Sequence, residues 1–311
     1  MYKNQRIVVV IPSYNEANQV GQVIASVPSY VDDIIAVDDC STDDTLSIIQ
    51  SVKDERLRVV KTPVNRGVGG AMIVGYREAL DLKSDVTAKM DGDGQMDPEQ
   101  LYLLLDAIID QGYDYAKGNR FLAGEFLYRM PRLRLIGNIV LTFVNKLASG
   151  YWHVFDPQNG YTVIRSEKLA RIDLERLHNR YFFENDMLIA LNFQNARVLD
   201  VAIPARYLNE HSDLNPFKVG ITFPILFLFR FWQRIYQKYV LRDFSPIALF
   251  LICGLILVTW GTLFGAYHWI LSIVTNHVAS TGTIMVAVLP FILGFQLILQ
   301  AIVLDIQQTP K

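Results

Sequence analysis

Hydrophobic and polar positions are arranged in two different ways along this chain. Over the first two thirds, short unbroken apolar runs take turns with amphipathic stretches; towards the end, apolar residues take over. Residues 7–11 (Ile7-Val8-Val9-Val10-Ile11) form a continuous apolar run, the mark of a strand buried on both faces. Helical spacing follows at 17–26, then a second strand at 33–37. A helix over 44–52 is entered through Ser41-Thr42-Asp43 and leads to a third strand at 57–61. The glycine-rich stretch 65–71 starts another helix, and a fourth strand at 86–90 runs into Asp91-Gly92-Asp93-Gly94. Regular strand–helix alternation predicts an α/β fold, a mostly parallel sheet with helices on both faces. Ligands of such sheets bind at the carboxyl ends of strands, where the unusual residues of this chain fall. Beyond Tyr113 the pattern is mixed, with strands predicted near 115–117, 161–165 and 197–203.

From 215 to 242, apolar and aromatic residues such as Phe223, Phe229, Trp232 and Tyr236 are interspersed with Arg and Lys. This predicts juxtamembrane amphipathic helices at a bilayer interface; a linker helix packed on the preceding domain fits the same pattern, and the two are compatible. From Phe244 to Leu304 there is no Asp, Glu, Lys or Arg. A bilayer core needs roughly 20 apolar residues per helix. The run holds two such stretches, 246–273 and 283–304, around a polar connector. The expected organisation is an α/β domain over 1–212, juxtamembrane helices over 213–243 and a two-helix transmembrane anchor with a short tail over 244–311. Arg230, Arg234, Lys238 and Arg242 precede the first span, Lys311 follows the second, and the connector has no basic residue. That bias predicts an integral protein of the plasma (inner) membrane with its domain and both termini cytoplasmic. The N-terminus leads straight into a strand, so no signal peptide is expected.

A net charge of −2 provides no basic field for nucleic acid. The two cysteines, Cys40 and Cys253, offer neither a disulfide nor a CxxC site, as suits a reducing compartment. His153, His178 and His211 lack metal-ligand spacing. The chemistry lies instead in carboxylates. Asp91 and Asp93, two positions apart on a glycine-relaxed turn, can share Mg²⁺ or Mn²⁺, hard cations that also take phosphate oxygens and water. Taken alone, the same residues also read as a common Asp-Gly turn.

Context extends this reading. Ile11-Pro12-Ser13-Tyr14-Asn15-Glu16, Val37-Asp38-Asp39-Cys40-Ser41-Thr42-Asp43-Asp44-Thr45, Asn65-Arg66-Gly67-Val68-Gly69-Gly70 and Asp91-Gly92-Asp93-Gly94-Gln95 follow one another in order. Together they resemble the inverting glycosyltransferases of family 2, with a GT-A nucleotide-diphospho-sugar transferase fold, and most closely the polyprenyl-phosphate (dolichol-phosphate mannose synthase-like) branch. The resemblance runs from about residue 7 to residue 207. It implies that Pro12, Tyr14, Glu16 and Asp39 line the nucleoside pocket of the donor. It also implies that Asp91, Asp93 and Gln95 form the metal-binding set, with Asp91 reaching the donor. Arg120 matches a position where Arg meets the phosphate of the acceptor lipid, which its planar fork suits. Asp156, in Asp156-Pro157-Gln158-Asn159-Gly160-Tyr161, falls at the reacting centre. Phe183-Glu184-Asn185-Asp186 stands where relatives carry a catalytic acidic pair; the spacing differs here, leaving open whether Glu184 or Asp186 points inward. Arg206 resembles the Arg that clamps the donor diphosphate, with Lys218 assisting. Local physics gives Asp38 or Asp39 a second role as helix cap, and assigns that role to Asp43.

The expected activity is metal-dependent transfer of a hexose from a UDP- or GDP-linked sugar to a polyprenyl phosphate at the cytoplasmic membrane face. Homo-oligomers held through the spans are compatible with it. The alternatives are another lipid or glycan acceptor, or a non-catalytic nucleotide-binding membrane scaffold. The processive-synthase motif Gln-x-x-Arg-Trp is absent, and both Asp91 and Asp93 are present.

Overall fold

The computed structural model describes residues 1–120, 122, 132–204 and 216–310, with side chains except at 132–136, 138 and 216–221. Seven strands form one sheet: β1 (Ile7–Ser13), β2 (Asp33–Asp38), β3 (Leu57–Lys61), β4 (Val86–Lys89), β5 (Tyr115–Asn119), β6 (Thr162–Arg165) and β7 (Val198–Ala202). Their order is β3-β2-β1-β4-β6-β5-β7; β6 runs antiparallel to both neighbours and every other pairing is parallel. Helices α1 (Val20–Ala25), α2 (Thr45–Ser51), α3 (Val68–Asp81), α4 (Leu101–Ile109), α5 (Arg132–Ser149), the single turn α6 (Ser166–Leu169) and α7 (Phe183–Phe193) connect them, and α8 (Pro216–Arg234) follows.

The unbroken apolar run of β1 has a simple cause. Its alternate residues feed two different cores. Ile7, Val9 and Ile11 join α1 and α4 through Ile24, Leu104 and Ile108, while Val8 and Val10 join α3 and α7 through Met72, Tyr76 and Leu188. Each such side chain contributes roughly 1.5–3 kcal/mol by leaving water. At the sheet edge, β3 exposes Arg58 and Lys61, charges that discourage edge-to-edge pairing. Helix α1 begins three residues later than the spacing predicts. The backbone N–H groups of Asn15, Glu16 and Ala17 instead donate to Ser41, Thr45 and Asp43 of the next loop. Asp43 also accepts from the N–H of Thr45, the first residue of α2, but the N-cap residue is Asp44, which makes no side-chain capping bond, so the capping role expected of Asp43 falls one residue later.

Helix α8 buries one aromatic edge and exposes the rest. Phe223 and Phe227 pack edge-on against Phe182, with ring centroids 5.2 and 4.8 Å away. Ile225, Leu228 and Phe229 on the same helix are exposed. The buried edge is that of a helix packed on the preceding domain.

The chain divides into two compact units, with the break between Arg230 and Phe231. The second unit contains a π-helical stretch, Ile235–Arg242, and two helices long and apolar enough to cross a membrane, α9 (Pro246–Thr275) and α10 (Thr281–Gln307). Ser245 and Ser280 cap them, and Asn276, at φ +53°, ends α9. The two helices approach closely because small residues face each other. A Cβ on Gly294 would lie 2.7 Å from the Gly254 carbonyl oxygen, and one on Gly261 would lie 2.6 Å from that of Ala287. Near the end of α10, Asp305 receives both prongs of the buried Arg234 guanidinium at 2.7 and 3.0 Å, and the Tyr239 hydroxyl at 2.5 Å. Gly294→Val is expected to force the pair apart at a cost of about 1–3 kcal/mol. Thermal denaturation in detergent should show a lowered midpoint, whereas Gly282→Ala, with no atom nearer than 3.8 Å, should leave it unchanged.

Candidate active site

The strand order sets the carboxyl ends of β2, β1 and β4 side by side, and buried polar groups gather there. Ser13, Asp38, Asp39 and Lys89 are all buried. Three oxygens at these ends, Ser13 Oγ, Asp38 Oδ2 and Asp91 Oδ1, have no hydrogen-bond partner among the described residues. A buried polar atom without a partner costs about 1–3 kcal/mol, so such a group of orphans marks a place where a polar ligand completes the bonding. The turn after β4 lies directly over the end of β1: a Cβ on Gly92 would meet Ser13 Oγ at 2.6 Å. Gly160 is equally constrained. Its Cβ would fall 2.6 Å from both Asp91 Oδ2 and Lys89 Nζ, which brings the loop following Asp156 onto Asp91.

Lys89 is the buried cation of this group. Its ammonium lies 2.6 Å from Glu184 Oε1 and 3.2 Å from Asp91 Oδ1, the latter a Coulombic contact without hydrogen-bond alignment. Burial alone would lower its pKa, but Asp91 and Glu184 outweigh it and hold the ammonium well above the usual lysine range. Glu184 thus stands at the centre. Asp186, expected beside it, is turned away: its carboxylate takes Arg230 Nη2 at 2.6 Å and the N–H of His178 at 2.9 Å. Two positions on an α-helix differ by about 200° in direction, so the two acids of α7 serve opposite sides.

At the end of β5, Arg120 grips Asp156 with Nε and Nη2 at 2.8 and 3.0 Å. Asp156 is nearly buried, which pushes its pKa up, yet the Arg120 guanidinium more than offsets this and holds the carboxyl below its ordinary value. Lys117, buried on β5, donates to the backbone carbonyl of Asp156, and burial lowers its pKa. Asp200 on β7 holds the segment from the other side, accepting from Asn119 Nδ2 at 2.6 Å and from the Phe155 N–H at 2.8 Å. Burial raises the pKa of Asp200.

Asp39 lies buried beside Asp38 at the end of β2. Its carboxylate accepts from Thr62 Oγ1 at 2.9 Å and from the N–H groups of Arg66 and Gly67 at 2.9 and 2.6 Å. It thereby fixes the glycine-rich entry to α3, leaving Asp38 Oδ2 as the oxygen of the pair without a partner. Pro12 is buried, Tyr14 is exposed, and Glu16 is partly buried with its N–H on Thr45 Oγ1 at 2.8 Å. Asp93 Oδ1 accepts from the Gln95 N–H at 2.9 Å, and the Gln95 side chain is exposed. Arg206 and His211 lie outside the described residues, as does the side chain of Lys218. His153 contacts the Val198 carbonyl through Nε2 at 2.8 Å, a structural bond.

Among the described residues no three His, Cys, Asp or Glu side chains converge as a metal-ligand set. Asp91 and Asp93 nevertheless fit a divalent cation that draws its remaining ligands from phosphate and water, since both are hard oxygen donors and both are partly open. Motif reasoning did not single out Asp38, Lys89 or Lys117 as site residues. A lysine inside an otherwise apolar buried strand was the available signal for the last two, because such a charge must be paired.

The profile of glycosyl transferase family 2 matches residues 8–173. The chain is 28% identical over 236 residues to the UDP-N-acetylglucosamine–dolichyl-phosphate N-acetylglucosaminyltransferase of Methanococcus voltae, covering 71% of this chain and 93% of that one. It is 30% identical over 205 residues to the undecaprenyl-phosphate mannosyltransferase of Micrococcus luteus, covering 64% and 82%. Among solved structures, glucosyl-3-phosphoglycerate synthase from Mycobacterium tuberculosis, in complex with Mn²⁺, UDP-glucose and phosphoglyceric acid, superposes with a TM-score of 0.55 at 21% identity, over 74% of this chain and 80% of that one. At that identity the likeness is one of fold. A profile that spans more than half of its length places the chain in glycosyl transferase family 2, and it is a glycosyltransferase.

Proposed function

We propose that this enzyme moves a hexose from a UDP- or GDP-linked sugar to a polyprenyl phosphate at the cytoplasmic face of the membrane, with Mg²⁺ or Mn²⁺ at Asp91 and Asp93. The observation that carries the choice of acceptor is that both candidate bases are already ion-paired, Asp156 with Arg120 and Glu184 with Lys89. An alcohol acceptor needs a base within hydrogen-bond reach to take its proton. A phosphomonoester, with a second pKa of about 6, arrives with its attacking oxygen already anionic. The names of the Methanococcus and Micrococcus relatives, which specify dolichyl phosphate and undecaprenyl phosphate, support the same class. Two helices apolar enough to cross a bilayer would keep the enzyme where such lipids reside.

The reaction is a single in-line displacement. An acceptor phosphate oxygen bonds to the anomeric carbon as the bond from that carbon to the donor diphosphate breaks, inverting configuration and releasing the nucleoside diphosphate. Asp156 holds the Arg120 guanidinium in one orientation so that its outer edge meets the acceptor phosphate. Ser13 Oγ and Asp38 Oδ2 take up hydrogen bonds from the donor nucleoside, beside Pro12, Tyr14 and Glu16. Asp39 keeps the 62–67 turn in place behind them. Lys89 and Glu184 set the position of Asp91. A divalent cation bound by Asp91 and Asp93, with Gln95 beside them, supplies neutralisation of the charge that builds on the leaving diphosphate. Arg206 is the expected second counter-charge there.

Incubation of membranes containing the enzyme with radiolabelled UDP- and GDP-sugars and a polyprenyl phosphate should place acid-labile label in the organic phase. Base-labile glycolipid, or nucleotide binding without transfer, would overturn the acceptor assignment. Asp91→Ala and Asp93→Ala should each lower kcat/KM by about 10²-fold or more, with parallel loss of Mn²⁺ binding measured by paramagnetic resonance. Transfer at full speed in either variant, or in excess chelator, contradicts the metal assignment. Asp156→Asn should release Arg120 and raise the acceptor KM by about 10–100-fold with donor affinity unchanged; titration calorimetry with the nucleoside diphosphate checks the second half.

A further inference from the structure

Helix α10 carries two seams, and α9 fills only one of them. Ala287, Phe291, Gly294, Ile298 and Ala301, at steps of four, three, four and three, pack on α9. Leu289, Leu293, Gln296, Gln300 and Val303 repeat the same steps two positions later, about 200° round the helix. All five are exposed. A four–three repeat of this kind is what one helix presents to another. Gln296 and Gln300 sit at the middle of the open seam, and neither makes a hydrogen bond with any described residue.

Depth and symmetry decide the occupant. At 1.5 Å per residue, Gln296 lies about 14 Å from Asp305 at one end of α10 and about 22 Å from Thr281 at the other. In a bilayer core of about 30 Å, that places its amide within hydrocarbon, too deep for the side chain to reach water. An amide left without a partner there is costly, and lipid tails offer neither donor nor acceptor. Copies inserted in one membrane share one orientation, so a two-fold axis along the bilayer normal sets residues of equal depth opposite themselves. A primary amide carries donors and an acceptor together and is therefore its own complement. Gln296 can meet Gln296, and Gln300 can meet Gln300, with both needs satisfied. A different membrane protein would have to bring polar groups of its own to both depths.

We propose that α10 pairs with α10 of a second copy along this seam, the two glutamines hydrogen-bonding to their counterparts across the axis. The inference rests on α10 lying in a bilayer and not on the reaction proposed above. The test uses full-length protein with Cys40→Ser and Cys253→Ala, labelled at the exposed Ser51→Cys with a donor or an acceptor fluorophore. The two populations are mixed in phosphatidylcholine liposomes over a series of protein-to-lipid ratios. Energy transfer should report self-association, and Gln296→Leu with Gln300→Leu should raise the protein density at its midpoint by about tenfold or more. In unlabelled protein with Ser51 intact and the same two cysteines replaced, Leu293→Cys on the seam should form an intermolecular disulfide under copper phenanthroline. Phe295→Cys, exposed on another side of α10, should not. Unchanged energy transfer in the double leucine variant would overturn the proposal, because association would then run through another surface. So would absence of transfer at every density, which leaves the seam to a different membrane protein, and so would equal cross-linking at 293 and 295. Sugar transfer is not the readout, so failure here and failure of the proposed reaction are separable.

Discussion

One buried ammonium organises the catalytic unit. Lys89 sits in the central strand β4, below the turn that presents Asp91 and Asp93, and its charge is shared between Asp91 and Glu184. Without it, two carboxylates would face each other in a site that already holds Asp38 and Asp39. At about 4 Å and an effective dielectric near 20, one pair of like charges costs about 4 kcal/mol. Losing one partner of a buried ion pair typically costs about 3–5 kcal/mol. The lysine therefore does more than offset desolvation. It ties α7 to the turn after β4, and through Gly160 it sets how near the loop following Asp156 can come. A donor diphosphate bound as proposed would add further negative charge to this edge, and Lys89 is already paired with Asp91 and Glu184. On the proposed reading, that is the electrostatic argument for a divalent cation at Asp91 and Asp93.

The sheet was legible because burial on both faces leaves a local signature. β1 opens with a continuous apolar run and β2 holds Ile34-Ile35-Ala36-Val37, and in both strands alternate residues feed two cores. The two apolar helices were equally plain, differing from expectation by only a few residues at each end. The antiparallel direction of β6 was not legible, since Thr162–Arg165 reads the same in either sense and its direction is set by partners far away in sequence. Helix α7 hides its logic in the same way. Glu184 and Asp186 look interchangeable as letters, and only the packing of α8, which delivers Arg230, separates them.

The pair Asp38–Asp39 shows the limit most clearly. Both sit at the end of β2, and period-two alternation sends them to opposite sides. Their partners are set by the return of residues 62–67 from β3, which brings a hydroxyl and two N–H groups to Asp39. Nothing within residues 37–45 contains that information. Lys89 is the converse case. Its letter is anomalous within Val86–Lys89, and a rule that every buried charge must have a partner would have drawn attention to it before any partner was known.

The two acids of α7 also explain how the active site is joined to the segment that leads out of the catalytic unit. Glu184 holds Lys89, and one half-turn later Asp186 holds Arg230 of α8. Burial raises the pKa of Asp186 against the pull of Arg230, so its charge is tolerated only while that arginine remains in place. Freeing α8 from α7 would strand a carboxylate that is also tied to the His178 backbone, and would uncover Phe223 and Phe227 from Phe182. Helix α7 thus joins Arg230 of α8 on one side and Lys89, the partner of Asp91, on the other.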